Sequence, residues 1–199
     1  MATTGIILAG GKNRRLGRPK ALEKVGGIPI IQRVADRLAP IINQLVIVTA
    51  LDTEGLPANL GAKFVTDVIP GGGPLVGIYS GLMASENEKN ILVACDMPFL
   101  SAPLLSHLAA VAAGQDAVIP YSAPGMFEPL HAVYDRNCVP AIKKRLDNQE
   151  RAIASFLKDV KVLYIDSAEC RQYDPELRSF FNINRQPDLD AAQLLSERE

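Results

Sequence analysis

Short apolar runs alternate along this chain with stretches whose apolar residues recur at helical spacing. Ile6 to Ala9 are continuously apolar, the pattern of a strand covered on both faces. Comparable runs predict strands over 5–9, 44–49, 62–66, 90–94, 117–120 and 160–165. Helical spacing predicts helices over 30–38, 75–85, 102–113, 138–146, 152–157 and 187–197. Such alternation argues for an α/β fold, a three-layer Rossmann-like domain with a mostly parallel sheet and helices on both faces. One domain over 1–199 is expected, since no linker, repeat or low-complexity segment interrupts it. Residues 120–126 read as a Pro/Gly/Ser loop, either a lid or a connection, and 128–134 as an antiparallel strand returning beside it. The pattern is weakest over 158–176.

In open sheets of this kind, ligands bind beyond the carboxyl ends of the strands. The loops after the first strand, at Asp67 and at Asp96 all follow strands, so they are expected to converge on one crevice. At the first, the strand ends in Gly10 and Gly11, which permit close backbone approach, and Lys12, Arg14, Arg15, Arg18 and Lys20 follow. A turn of free N–H groups with cations around it suits phosphate oxygens. It is not a Walker A loop: Gly5 and Gly10 have the required separation, but Gly11 stands where that pattern needs Lys. The lesser alternative for the segment read alone is a strand ending in a flexible basic loop.

Asp96 is the second candidate. An apolar strand delivers this carboxylate at its C-terminal end, and Pro98 fixes the turn that follows. Mg²⁺ needs only one or two carboxylates when nucleotide phosphates and water complete its shell. Asp96 could instead cap the helix beginning near Ser101, but Ser101 fits that cap better. The third is Asp67, followed by Pro70-Gly71-Gly72-Gly73-Pro74-Leu75-Val76-Gly77, a glycine loop running into a helix start with free N–H groups. Gly77 and Gly81 share one face of that helix, suited to tight packing or to ligand approach.

Composition narrows the partners. Net charge is −1, aromatic content is 6% and Trp is absent, so nothing favours nucleic acid. The apolar runs fall far short of the ~20 residues that span a bilayer, and the N-terminus lacks a basic n-region, which points to the cytoplasm. The three cysteines, Cys95, Cys138 and Cys170, form no C-x-x-C pair, and Cys95 reads as a buried thiol.

The wording LAGG, then R-L-G, then P-K, resembles the nucleotidyltransferase signature L-A-G-G-x-x-x-R-M-G-x-x-K, with Leu16 where Met is usual. Within that superfamily the chain resembles the molybdenum cofactor guanylyltransferases, from LAGG through CDMP to FFNIN in the family's order. The resemblance implies the nucleotide-diphospho-sugar transferase type of fold, and transfer of GMP from GTP to the phosphate of the molybdopterin cofactor with release of pyrophosphate. It implies nucleotide binding by Leu8, Ala9, Gly10, Gly11, Lys20, Asp67 and Asp96, catalysis by Lys20, Arg15 and Asp96, and Mg²⁺ on Asp96. It places Gly77, His131, Asn182 and Asn184 toward the second substrate. It also implies transient contact with other cofactor-biosynthesis proteins.

For His131 the residues leave two readings, a contact to the pterin or its phosphate, or a core histidine, the commoner fate of a lone His in an apolar strand. Asn182 and Asn184 alternate with apolar residues and so share one face, or else form a turn before the last helix. One departure concerns the base. The family often places an N-x-N-R type stretch after the second strand, where this chain has Val48-Thr49-Ala50-Leu51-Asp52. A cytidylyltransferase, or another NTP-dependent nucleotidyltransferase, therefore stays open. So does a binding module without turnover, although such a module need not keep Lys20, Asp67 and Asp96 together.

Overall fold

The computed structural model describes residues 2–10, 20–49, 56–69 and 71–198. Its strands are β1 (Thr3–Leu8), β2 (Lys24–Val25), β3 (Ile28–Pro29), β4 (Gln44–Thr49), β5 (Lys63–Thr66), β6 (Lys89–Ala94), β7 (Ala117–Ala123), β8 (Met126–Phe127), β9 (His131–Asp135) and β10 (Val162–Ile165). Its α-helices are α1 (Ile30–Leu38), α2 (Pro74–Ala84), α3 (Ala102–Ala110), α4 (Cys138–Asp147), α5 (Ile153–Leu157), α6 (Ser167–Cys170) and α7 (Gln186–Ser196). An eight-stranded sheet runs in the order β10-β7-β9-β6-β1-β4-β5, with β8 paired to β7. Strand β9 is antiparallel to both neighbours, and β7 and β8 form an antiparallel hairpin; the other pairings are parallel. The expected α/β architecture holds.

Strand β1 lies inside this sheet, parallel to β4 on one edge and to β6 on the other. It has no solvated face, which is why Ile6 to Ala9 read as an unbroken apolar run. Ile7 belongs to one core with α1, α3 and α7; Ile6 and Leu8 belong to the other with α2, α4 and α5. The helices that flank β1 start where local chemistry dictates. Ser101 caps α3 by accepting the Leu104 N–H at 3.2 Å, as its position before Ala102-Pro103 suggested. Helix α2 has Pro74 in its first turn, after Gly73 at φ +79°.

The segment 120–126 is not a loop. Strand β7 continues to Ala123 and turns through Pro124-Gly125 into β8, with Gly125 at φ +78°. Alternation over Ala117–Ala123 is masked by Pro120 and the small residues after it. The hairpin β2–β3 and helix α6 carry too few apolar residues to announce themselves. Helix α3 ends at Ala110 rather than at 113, closing in a turn to Gly114 at φ +70°.

The two glycines of α2 are a packing seam. A methyl group on Gly81 would sit 2.6 Å from Ile6 Cγ2 and 3.3 Å from Val48 Cγ2; one on Gly77 would sit 3.2 Å from Leu8 Cδ2. Ile6 and Val48 are fully enclosed branched side chains in strands fixed on both edges, so neither can retreat. Gly81→Ala gains about 1 kcal/mol of helix propensity but incurs overpacking of roughly 1–3 kcal/mol. Net destabilisation is expected, read as a lower urea midpoint with an unchanged m-value.

Candidate active site

The register of the central strands delivers the loops to one edge. Leu8 is level with Val48 on one side and with Ala94 on the other. The ladder then continues one step past the strands: Ala9 N–H donates to Val48 O at 2.8 Å, Cys95 N–H to Leu8 O at 3.1 Å, and Asp67 N–H to Thr49 O at 2.9 Å. Ala9, Asp67 and Asp96 therefore stand along one carboxyl edge. The expected convergence of the three loops is present for their described residues.

At this edge Lys20 Nζ donates to Asn184 Oδ1 at 2.7 Å and lies 3.3 Å from Asp96 Oδ2. The Lys20 and Asp96 side chains are 17% and 19% exposed, so the pair is shielded from bulk water while still reachable. Asp96 Oδ1 is buried and has no hydrogen-bond partner among the described residues. A buried anionic oxygen without a donor is costly, and a hard cation or a ligand donor would relieve it. The site thus fits Mg²⁺ in its phosphate-dependent form: one carboxylate oxygen is available beside a cation that suits phosphate. Among the described residues, no group of three or more His, Cys, Asp or Glu surrounds such a position, so the remaining ligands would come from nucleotide and water.

The corner is assembled from distant sequence. The backbone of the Asn182–Asn184 stretch docks on Asp96, whose carbonyl accepts the Ile183 N–H at 3.0 Å, while the Ile183 side chain is fully buried. Asp188 accepts the N–H groups of Asn184 and Arg185, each at 2.8 Å, which fixes the turn into α7. Gln193, one turn farther along α7, accepts from Gly26 N–H at 3.0 Å and donates to Lys24 O at 2.7 Å. This clasp ties α7 to the hairpin that follows Lys20, so both partners of the Lys20–Asn184 bond hang from one joint.

Asp67 is half-buried, and burial raises its carboxyl above the usual range. Its Oδ1 also lacks a partner among the described residues. That oxygen would lie 3.7 Å from a methyl group on Gly77, which itself packs on Leu8. The bare helix face at Gly77 lets Asp67 and Leu8 approach each other. Asn182 does not share a partner with Asn184: its Nδ2 donates to Phe180 O at 3.0 Å within its own segment. Cys95, read as buried, is half-buried; desolvation and the neighbouring Asp96 push its thiol up to about 12, so it is no thiolate nucleophile. Gly11 and Arg15, with Lys12, Arg14, Arg18 and 50–52, lie outside the described residues.

His131 opens β9 level with Val93 of β6. It is fully enclosed, with the Phe180 ring edge-on at 5.0 Å, and neither ring nitrogen has a hydrogen-bond partner among the described residues. Burial lowers its pKa to about 3.

The match to known proteins follows this geometry. The model of the MobA-like NTP transferase domain matches residues 5–163, from β1 into β10. The chain belongs to that family. A molybdenum cofactor guanylyltransferase from Desulfosudis oleivorans is 38% identical over 96% of this chain and 95% of its own. A relative from Pelotomaculum thermopropionicum, named a probable molybdenum cofactor guanylyltransferase, is 36% identical over 99% of this chain and 95% of its own. The structure of molybdopterin-guanine dinucleotide biosynthesis protein A from Archaeoglobus fulgidus superposes with a TM-score of 0.84 at 31% identity, covering 98% of this chain and all of that one. A 4-diphosphocytidyl-2C-methyl-D-erythritol synthase from Anaerococcus prevotii, 16% identical at a TM-score of 0.76, covers 99% of each chain and shows the shared nucleotidyltransferase fold. This MobA-like chain is accordingly a nucleotidyltransferase.

The sequence pointed to Lys20, Asp96 and Asn184 separately but not to their contact. It missed the role of Gln193, for which no local signal exists, and that of Asp188, whose place three residues after the N-cap Arg185 is a recognisable capping position. One measurement follows from His131. Its neutral form is favoured in the folded state, so protonation of the unfolded chain below about 6.5 draws stability away as pH falls toward 3. Between pH 6.5 and 5 this loss approaches about 2 kcal/mol. Urea unfolding of the wild type and His131→Leu at both pH values is expected to show the smaller acid loss in the variant.

Proposed function

We propose that this protein transfers GMP from GTP to the phosphate of the molybdopterin cofactor, releasing pyrophosphate, with Mg²⁺ as its cofactor. Full-length relatives named for that activity support the reading. The observation that carries it is the Lys20–Asp96–Asn184 corner with its unpartnered Asp96 oxygen.

The attacking group in this reaction is a phosphate oxygen, already largely ionised at neutral pH, so no side chain need remove a proton. The residues at hand agree, since His131 is enclosed and the Cys95 thiol stays protonated. Bond formation from acceptor oxygen to the α-phosphorus and loss of pyrophosphate redistribute negative charge over the phosphates. Lys20 offers a cation for that charge, held by Asn184 and Asp96 in one orientation before substrate arrives. Such preorganised charge accounts for much of an enzyme's rate enhancement. Asp96 Oδ1 would hold Mg²⁺, which when bound neutralises phosphate oxygens and orients them. Leu8, Ala9, Gly10 and Asp67 are assigned to the nucleotide by motif, and Ala9 and Asp67 stand along the same carboxyl edge. Gly11 and Arg15 are assigned to the phosphates by motif. We place the reaction in the cytoplasm, and no helix among the described residues is long and apolar enough to cross a membrane.

Asp96→Ala is expected to abolish GTP-dependent pyrophosphate release while leaving the urea midpoint near that of the wild type. Lys20→Ala is expected to lower kcat by about 10²–10³-fold, the usual loss for one preorganised electrostatic contact. Retained turnover of Asp96→Ala with Mg²⁺ would sink the metal assignment. A thermal-shift series with GTP, CTP and ATP, each with and without Mg²⁺, reads the base. Stabilisation selective for Mg²⁺ and GTP is expected, because a ligand that binds only the folded state raises the melting temperature. Preference for CTP would transfer the chain to cytidylyl transfer.

A further inference from the structure

Three arms of the chain meet at the Lys20–Asp96–Asn184 corner, and each pair of arms is also tied behind the charged groups. Gln193 joins the Asn184 arm to the hairpin that follows Lys20. The Ile183 N–H joins the Asn184 arm to the Asp96 backbone. The third side of this triangle runs between the Lys20 hairpin and the turn after Asp96, and Arg33 of α1 spans it. Its Nη1 donates to Val25 O at 3.4 Å and its Nε to Pro98 O at 3.5 Å. Both bonds are long, and the guanidinium has a third hold on the Phe99 ring, whose centroid lies 5.5 Å from Cζ.

The surroundings suit a fixed brace. Arg33 is half-buried and Phe99 is buried. Phe99 meets Phe181 edge-on, with ring centroids 5.8 Å apart, so the ring under the guanidinium also touches the Asn184 arm. Lys20 itself is fastened by a short turn. The Glu23 N–H returns to Lys20 O at 3.1 Å, and Glu23 O accepts the Ile30 N–H at 2.7 Å, at the start of the helix that carries Arg33. A planar guanidinium can bond two carbonyls and lie over a ring at once; a lysine ammonium at this place has neither the fork nor the flat face. Supporting contacts of this kind matter most where charge must be placed accurately. A misplacement of about 1 Å at a reacting group can cost roughly 10²-fold in rate.

We infer that Arg33 is a positioning residue for the transfer reaction. By bracing the Lys20 hairpin against the Asp96–Phe99 turn, it sets the spacing of the cation and the carboxylate and acts through them. The inference rests on the guanylyltransferase reading for the assay, but the brace would serve any transfer at this corner that releases pyrophosphate from a nucleoside triphosphate.

The test uses Arg33→Met, which keeps the stem and removes both donors, and Arg33→Lys, which keeps the charge without the fork. Each is made in the wild type and in Lys20→Ala. Pyrophosphate release from GTP and the molybdopterin cofactor is followed with Mg²⁺, and binding of Mg²⁺-pyrophosphate is measured separately by calorimetry. Arg33→Met is expected to lower kcat by at least about tenfold with a smaller change in KM for GTP, and Arg33→Lys to fall between. In the Lys20→Ala chain the same changes are expected to cost almost nothing more, because the group they position is gone; a loss of folded protein alone would multiply in both backgrounds. Pyrophosphate affinity is expected to fall in the order wild type, Arg33→Lys, Arg33→Met. If Arg33→Met does not fold, Arg33→Lys carries the comparison. The inference is overturned if the folded Arg33 variants keep the wild-type kcat, or if their loss multiplies with that of Lys20→Ala. A wild type that binds Mg²⁺-pyrophosphate but releases none from GTP would overturn the guanylyltransferase reading alone, and pyrophosphate affinity would then decide Arg33 by the same comparison.

Discussion

Strand β1 is hydrogen-bonded on both edges and buried on both faces, and the position of every reactive group is set relative to it. Parallel pairing with β4 and β6 brings Val48 and Ala94 level with Leu8. Because these strands and β5, level with β4 at Thr49 and Thr66, end at the same height, the ladder itself carries Ala9, Asp67 and Cys95–Asp96 to one edge. Two-sided burial removes any alternative register, since a slip of one residue would exchange Ile7 with Ile6 and Leu8 between the two cores. Helix α2 can approach this strand closely only because Gly77 and Gly81 carry no side chain where Leu8 and Ile6 lie. A site that works by placing charge depends on that rigidity.

The charge in the site is then set by burial and pairing. Lys20 is held by an amide and a carboxylate from the far end of the chain and from β6, while one oxygen of Asp96 and one of Asp67 remain without partners among the described residues. Stability alone would favour pairing these oxygens. An arrangement that leaves them open at the carboxyl edge of a nucleotidyltransferase sheet is suited to receive cations and donors with the substrate. His131, whose ring nitrogens lack partners among the described residues, and Leu177, at φ +52°, are further departures from the lowest-energy arrangement.

How much of this could be read beforehand differs from residue to residue. The β1 run, the alternation of strands and helices, the Ser101 cap and the shared face of Gly77 and Gly81 follow from side-chain period and capping chemistry, which act over a few residues. Asp96 could be singled out because an apolar strand delivers it and Pro98 follows. The hairpin over β7 and β8 was hidden because Pro120, Ser122 and Ala123 blur its alternation. The alternation of Asn182 and Asn184 agrees with the burial of Ile183 between them, whereas the different partners of the two amides could not be read from it.

The sequence by itself therefore determined the fold class, the family and the identities of the charged groups, because these rest on local pattern and on motifs contiguous in the chain. Tertiary structure alone decided which groups meet. Lys20 and Asn184 are brought together by the Gln193 clasp and the Asp188 turn, and the Ser179 turn is held by Asp174 and by the Ser101 N–H at the start of α3. Such contacts join backbone and side-chain groups far apart in sequence, and their geometry arises only when two cores close on opposite faces of one sheet.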